Sequence, residues 1–181
     1  MMKRKLKKKK VSRQSSYSTI PSVAHAPLQQ AVVSRDELVN HLVNVALNQD
    51  SLGFAILEAE QGSNFHRDLK NAEGKGALHL LLENTSERTL GAILFLLERG
   101  VSFGMKNNLQ QTPFHLLAIH APSSIILAFW EEEKIWTFLR NIQVSFDTRD
   151  VEGKTFLHYL MQRAGNDEYV SIILRRYYRH R

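Results

Sequence analysis

Histidine is the side chain whose count first invites a chemical reading. The chain has eight histidines and no cysteine, so thiolate metal sites, disulfides and cysteine nucleophiles are excluded outright. A metal centre built on imidazoles would need ligands at close spacing, such as His-Glu-x-x-His on one helix face, and no such pair occurs. Gly74-Lys75-Gly76 begins like a dinucleotide fingerprint, but the third glycine position is His79 and no strand precedes it. It reads as a turn. Gly-x-Ser-x-Gly is absent and no motif sets two carboxylates for acid-base work. Neither enzyme activity nor a cofactor or metal is expected. Asn84-Thr85-Ser86 fits a glycosylation sequon, but reads as an inter-helix loop with Ser86 as a helix cap.

Three histidines instead mark a repeat, the pattern to seek before any motif. Gly74-Lys75-Gly76-Ala77-Leu78-His79-Leu80-Leu81 aligns with Gln110-Gln111-Thr112-Pro113-Phe114-His115-Leu116-Leu117 and with Gly153-Lys154-Thr155-Phe156-Leu157-His158-Tyr159-Leu160. A second marker keeps one offset from the first. Val101-Ser102-Phe103 lies 14 residues before His115, and Val144-Ser145-Phe146 lies 14 before His158.

These residues resemble the ankyrin repeat: a turn, Gly-x-Thr-Pro-Leu-His-x-Ala, then a second helix ending in Leu-Leu-x-x-Gly-Ala. Thr112-Pro113-Phe114-His115-Leu116-Leu117-Ala118 carries the first part and Leu96-Leu97-Glu98-Arg99-Gly100-Val101 the second. The spacing departs from the family's repeat of about 33: His79 to His115 is 36 residues and His115 to His158 is 43. His79 to Val101 is 22 residues while His115 to Val144 is 29, so the excess lies between the two helices of that unit. Either its second helix is extended or a short extra turn precedes it. The resemblance covers residues 70–181 closely and 34–69 only as a helix pair.

The resemblance implies an all-α, ankyrin-type helical-repeat solenoid of about four helix pairs. Residues 34–69 form an atypical capping pair, followed by units at 70–106, 107–149 with the insertion, and 150–181. Gly74, His79, Thr112, Pro113, His115, Gly153, Thr155 and His158 then carry the repeat motif, each histidine hydrogen-bonding neighbouring backbone. Proline suits the first helical turn, where its missing donor is not needed, and threonine is expected to cap free amides. Terminal units should present polar outer faces; Glu168, Arg175, Arg176 and Arg179 in the last helix suit that.

By the same resemblance the function is protein binding through turn tips and a concave helix face, with Asn71, Glu73, Asn108, Gln110, Arg149 and Glu152 as contact residues. Trp130 lies in an aromatic concentration with Phe129, Trp136 and Phe138. It reads as packing for the elongated unit or as an exposed partner anchor. Short ankyrin stacks of irregular spacing also occur among effectors that pathogens deliver into a host cell.

The termini read differently. Met1 to Arg13 holds eight Lys and Arg and no acid, leaving 16 basic against 18 acidic residues, a balance of −2, in the rest. Lys3, Arg4, Lys5, Lys7, Lys8, Lys9 and Lys10 are the dense part. Three readings stay open for them: nuclear import, a nucleic-acid or anionic-surface arm, or solubilisation. A nucleic-acid-associated protein led by this tail is the alternative function. Residues 1–33 are expected to be disordered, being rich in Lys, Ser, Gln and Pro. Lys10 is followed by polar residues rather than an apolar core, so a cleavable secretion signal is not expected. The apolar runs Ala92–Leu97 and Ile125–Trp130 fall far short of the roughly 18 residues of a membrane span. The expected location is intracellular, cytoplasmic or nuclear.

Helix signals begin at Ser34, an N-cap with Glu37 three residues on. Leu38, Leu42, Val45 and Ala46 share a face to about Leu47, and a second helix runs from Asp50 and Ser51 to Gly62 with Leu52, Ala55, Ile56 and Ala59 as its apolar stripe.

Overall fold

Ser34 opens the first helix as its type and spacing predict. Its hydroxyl accepts from the Glu37 amide at 3.2 Å while its own amide donates to the Glu37 carboxylate at 2.8 Å, satisfying two donors that a bare helix end leaves unpaired. The computed structural model describes residues 33–141 and 145–164 together with Ile172 and Arg175. The tail, Val144, Glu168, Arg176 and Arg179, for which the sequence sets expectations, lie outside the described residues.

The elements are α1 (Arg35–Leu47), α2 (Ser51–Gln61), a 3-10 turn (Phe65–Arg67), α3 (Ala77–Glu83), α4 (Thr89–Glu98), α5 (Pro113–His120), α6 (Ser123–Glu131), α7 (Glu133–Asn141) and α8 (Phe156–Ala164). Among the described residues all regular structure is helical. No helix there is long and apolar enough to cross a membrane. Asp50 caps α2 by accepting from the Gly53 amide at 2.9 Å, and Gly62 ends it at φ +91°. Ser86 is not the cap of α4; Arg88 holds that position, and the Ser86 amide donates to the Thr89 hydroxyl at 2.7 Å.

Packing follows chain order. α1 lies against α3 and α4, α3 against α5, and α5 against α8, while α4 also meets α6 and α7. The core between them holds Leu42, Leu78, Leu82, Ile93, Leu96, Phe103, Phe114 and Phe156, each worth about 1.5–3 kcal/mol when fully buried. Arg163 of α8 donates at 2.7 Å to the carbonyls of Ala118 and Ala121, using the free acceptors at the end of α5.

The apolar face of α2 differs from the stripe predicted. Phe54 and Leu57 are buried, whereas Leu52 is 72% exposed and Ile56 49%. Ala55 and Ala59 are exposed too. Phe54 settles the orientation: its ring meets Phe65, His66 and Phe95 at centroid distances of 6.2, 5.1 and 6.0 Å, an aromatic cluster that Leu52 and Ala55 could not join. The exposed side of α2 is therefore mixed, with Leu52 and Ile56 beside Ser51, Glu60 and Gln61.

The excess residues give two short helices, α6 and α7, where the preceding unit has α4 alone. The second helix of that unit is broken in two at Glu132, whose backbone is extended (φ −81°, ψ 98°). Glu132 serves both halves, its amide donating to the Ala128 carbonyl to end α6 and its carbonyl accepting from Ile135 to begin α7. The break lets Trp136 fold back on Trp130, with rings stacked at 4.6 Å and the Trp136 indole N–H donating to the Trp130 carbonyl at 3.0 Å. Trp130 is 1% exposed and packs on Phe129, Phe146 and Phe156. It belongs to the core. Its reading as an exposed partner anchor is corrected by that burial.

Candidate functional site

Eight residues before each repeated histidine stands an Asn or Asp: Asn71, Asn107 and Asp150. Each turns its side chain back on its own loop. Asn71 Oδ1 accepts from the amides of Glu73 and Lys75 at 3.0 and 2.8 Å. Asn107 Oδ1 accepts from Leu109 and Gln111 at 3.0 and 2.9 Å, and Asp150 Oδ1 from Glu152 and Lys154, both at 2.9 Å. Short Asn and Asp side chains suit such local closure. The backbone closes the same loops, with Asn71 donating to Lys75, Asn107 to Gln111 and Asp150 to Lys154.

The third residue after the Asn or Asp lies in the left-handed region in all three turns: Gly74 at φ +73°, Gln110 at +59° and Gly153 at +74°. Glycine adopts that conformation without cost, and glutamine does not. At Gly74 space forbids a side chain as well, since a Cβ would sit 2.4 Å from Asn108 Oδ1.

Neighbouring turns are tied edge to edge. The Ala72 amide donates to Asp36 of α1 at 2.8 Å. Asn108 donates from its backbone to the Glu73 carbonyl and from its side chain to the Ala72 carbonyl, both at 3.0 Å. The Val151 amide then donates to the Leu109 carbonyl at 3.1 Å. Three sequence-distant loops thus share one hydrogen-bonded ribbon.

The histidines bolt this ribbon to the helices. Gly76 donates its amide to His79 Nδ1 at 3.2 Å, and His79 Nε2 lies 3.0 Å from the Gln111 carbonyl. Thr112 donates its amide (3.0 Å) and hydroxyl (2.9 Å) to His115 Nδ1, while His115 Nε2 reaches the Lys154 carbonyl at 3.2 Å. A carbonyl can only accept, so Nε2 carries the proton and Nδ1 is the acceptor. Threonine therefore orients an imidazole here rather than capping a free amide. Burial pushes the His79 pKa down to about 4 and lowers that of His115. His158 is bound by Thr155 through Nδ1 in the same way, but it is exposed and its Nε2 has no partner among the described residues. Gly76 stands where the sister units have Thr, and a Cβ there would meet Met105 Sδ at 2.5 Å and the Leu69 carbonyl at 3.2 Å.

The contact residues expected from sequence separate into two groups. Glu73, Gln110, Arg149 and Glu152 are exposed along the ribbon. Glu73 pairs with Lys75 at 2.7 Å, Glu152 with Lys154 at 2.6 Å, and Arg149 donates to the Gly153 carbonyl at 2.7 Å. Asn71 and Asn108 are instead consumed by the turns: one closes its own loop and the other ties two loops together. Lys75 also crosses to Glu83 of α3 at 2.8 Å; although burial opposes its charge, these two carboxylates raise its pKa. Asp150 is opposed by burial too, yet the Tyr159 hydroxyl and two backbone amides lower its pKa, and Tyr159 rises to about 12.

Sequence reading missed two residues. Leu109 is 54% exposed and Val151 61%, side by side across their hydrogen bond on the ribbon. No local signal marks them, since Leu and Val are read as core by type. The Asn or Asp eight residues before each histidine was visible and could have identified the closing side chains.

A search against models of protein families finds no match to this chain, and no curated protein matches it in sequence.

Proposed function

We propose that the chain is an ankyrin-type helical-repeat module that binds a protein partner through the ribbon of turns and the helix faces beside it. The observation that carries this reading is the pair of bonds Asn108 to Glu73 and Val151 to Leu109, which makes one preformed surface from three loops. A preordered surface loses little entropy on binding. The side chains exposed to meet a partner are those of Glu73, Gln110, Arg149 and Glu152. The three turns share one construction, and the histidines at one register support the family resemblance.

The test is affinity capture from nuclease-treated lysate with the full chain beside a chain carrying Glu73→Ala, Gln110→Ala, Arg149→Ala and Glu152→Ala. Retention of a protein by the first and its loss from the second is the expected result. Equal capture by both sinks the turn-ribbon reading.

A second reading is favoured by one observation, the eight cations within the first 13 residues. If all eight neutralised phosphates, the affinity for duplex DNA would fall with a logarithmic salt slope of about −7. That slope should vanish on deleting Met1 to Arg13.

A further inference from the structure

Three features coincide at the crest of the ribbon. Leu109 and Val151 are more than half exposed and joined by the bond between their backbones. Single exposed apolar residues are ordinary, but two from turns 42 residues apart, placed together on a rigid edge, form a small anchor. Between them in sequence stands Gln110, held at φ +59° where both sister turns have glycine. A non-glycine residue in that region costs about 1 kcal/mol or more. The middle turn thus keeps a side chain at its tip where glycine would be easier.

The third feature is charge. Along the turns stand Lys70, Lys75, Lys106, Arg149 and Lys154 with Glu73, Asp150, Glu152 and Asp36 of α1, whose carboxylate accepts from the Ala72 amide, an excess of one cation. The carboxylates are engaged: Glu73 with Lys75, Glu152 with Lys154, and Asp150 with the Tyr159 hydroxyl. Among the described residues Lys70, Lys106 and Arg149 form no ion pair; Lys70 donates to the Lys106 carbonyl and Arg149 to that of Gly153. Lys106 lies three residues before Leu109, and Arg149 two before Val151.

We propose that Leu109, Gln110 and Val151 form the anchor of the partner surface and receive an acidic peptide segment bearing an apolar side chain, with Lys106 and Arg149 meeting its carboxylates. This rests on the reading of the chain as a protein-binding module and names the chemistry of its partner. The apolar pair takes the partner's apolar side chain out of water, Gln110 offers both a donor and an acceptor beside it, and the unpaired cations select acidic flanks and reject basic ones.

The experiment is fluorescence anisotropy of the full chain with three labelled 12-residue peptide pools: a central Leu or Phe flanked by Asp and Glu, the same centre flanked by Lys, and acidic flanks around a central Ser. Each is repeated on a chain with Lys3, Arg4, Lys5, Lys7, Lys8, Lys9 and Lys10 changed to Gln, so that the basic tail does not supply the signal. The acidic apolar pool should bind both chains. Affinity should fall about tenfold or more in Leu109→Ser with Val151→Ser, and Lys106→Glu with Arg149→Glu should shift preference to the lysine-flanked pool. Both pairs are at exposed or half-exposed positions, and unchanged thermal midpoints verify that the variants fold. Binding that ignores these substitutions, disappears with the tail cations, is equal for lysine flanks or a central Ser, or is absent for every pool overturns the proposal. The module reading survives those results if lysate capture still depends on the turn residues.

Discussion

His115 Nε2 lies 3.2 Å from the carbonyl oxygen of Lys154, 39 residues further along the chain. That carbonyl ends the next turn, so one neutral imidazole fastens a helix to a loop of the following unit. His79 does the same for Gln111. The arrangement holds only while Nδ1 remains an acceptor.

Acid should therefore weaken the fold. Burial lowers the folded pKa of His79 to about 4 and also lowers that of His115, whereas an unfolded histidine titrates near 6.5. Below about 6.5 the unfolded chain binds protons that the folded chain refuses, so the stabilisation present above that pH is lost as the pH falls towards 4. For His79 the loss should reach about 3 kcal/mol. Urea midpoints at pH 7, 5.5 and 4.5 measure it, and His79→Gln should flatten the slope while lowering stability at pH 7. A midpoint independent of pH in the parent chain contradicts the assignment.

Gln110→Gly should stabilise the chain. Relief of a left-handed non-glycine residue is worth about 1–2 kcal/mol, and the added freedom of glycine in the unfolded state returns about 0.5–1. A net gain of about 0.5–1 kcal/mol is expected from denaturant melts. If Gln110 belongs to the partner surface, the same substitution weakens binding while raising stability.

Asn107→Ala should cost about 2–3 kcal/mol, because the amides of Leu109 and Gln111 lose their acceptor at a buried position. Asn107→Asp keeps both bonds, as Asp150 does in its own turn, and should cost less. Thermal denaturation ranks the two, and an equal loss in both argues against loop closure as the role of this side chain.

The chain's two tryptophans should not be equivalent. Trp136→Phe removes the bond to the Trp130 carbonyl and part of the stack, at about 2–3 kcal/mol. Trp130 Nε1 has no hydrogen-bond partner among the described residues, so Trp130→Phe loses ring volume and part of the same stack but no hydrogen bond, and should cost about 1 kcal/mol less. Each variant retains one tryptophan, whose emission follows its own unfolding.

Local chemistry was legible in the sequence where it decides structure by itself. Ser34 with Glu37, Asp50 and Gly62 set the ends of α1 and α2 because caps act over three or four residues. The face of α2 was not legible, since Phe54 and Leu57 compete with Leu52 and Ile56 at similar spacing and the winner is chosen by Phe95, a residue of another helix. The break at Glu132 has neither Gly nor Pro to announce it and follows from the stacking of Trp136 on Trp130. Of the contact residues, Asn71 and Asn108 were legible as turn residues, but their type alone could not show whether the amide faces a partner or the chain's own backbone.

The bonds between turns have a mechanical consequence. Each joins only segments that follow one another in the stack: Asp36 of α1 with Ala72, Glu73 with Asn108, and Leu109 with Val151. A pull applied along the chain then loads these seams one after another instead of together, and each holds only a handful of bonds, those of His79 to Gln111 and His115 to Lys154 included. Under tension the fold should come apart as a zipper does, in steps, and close again from whichever seam survives.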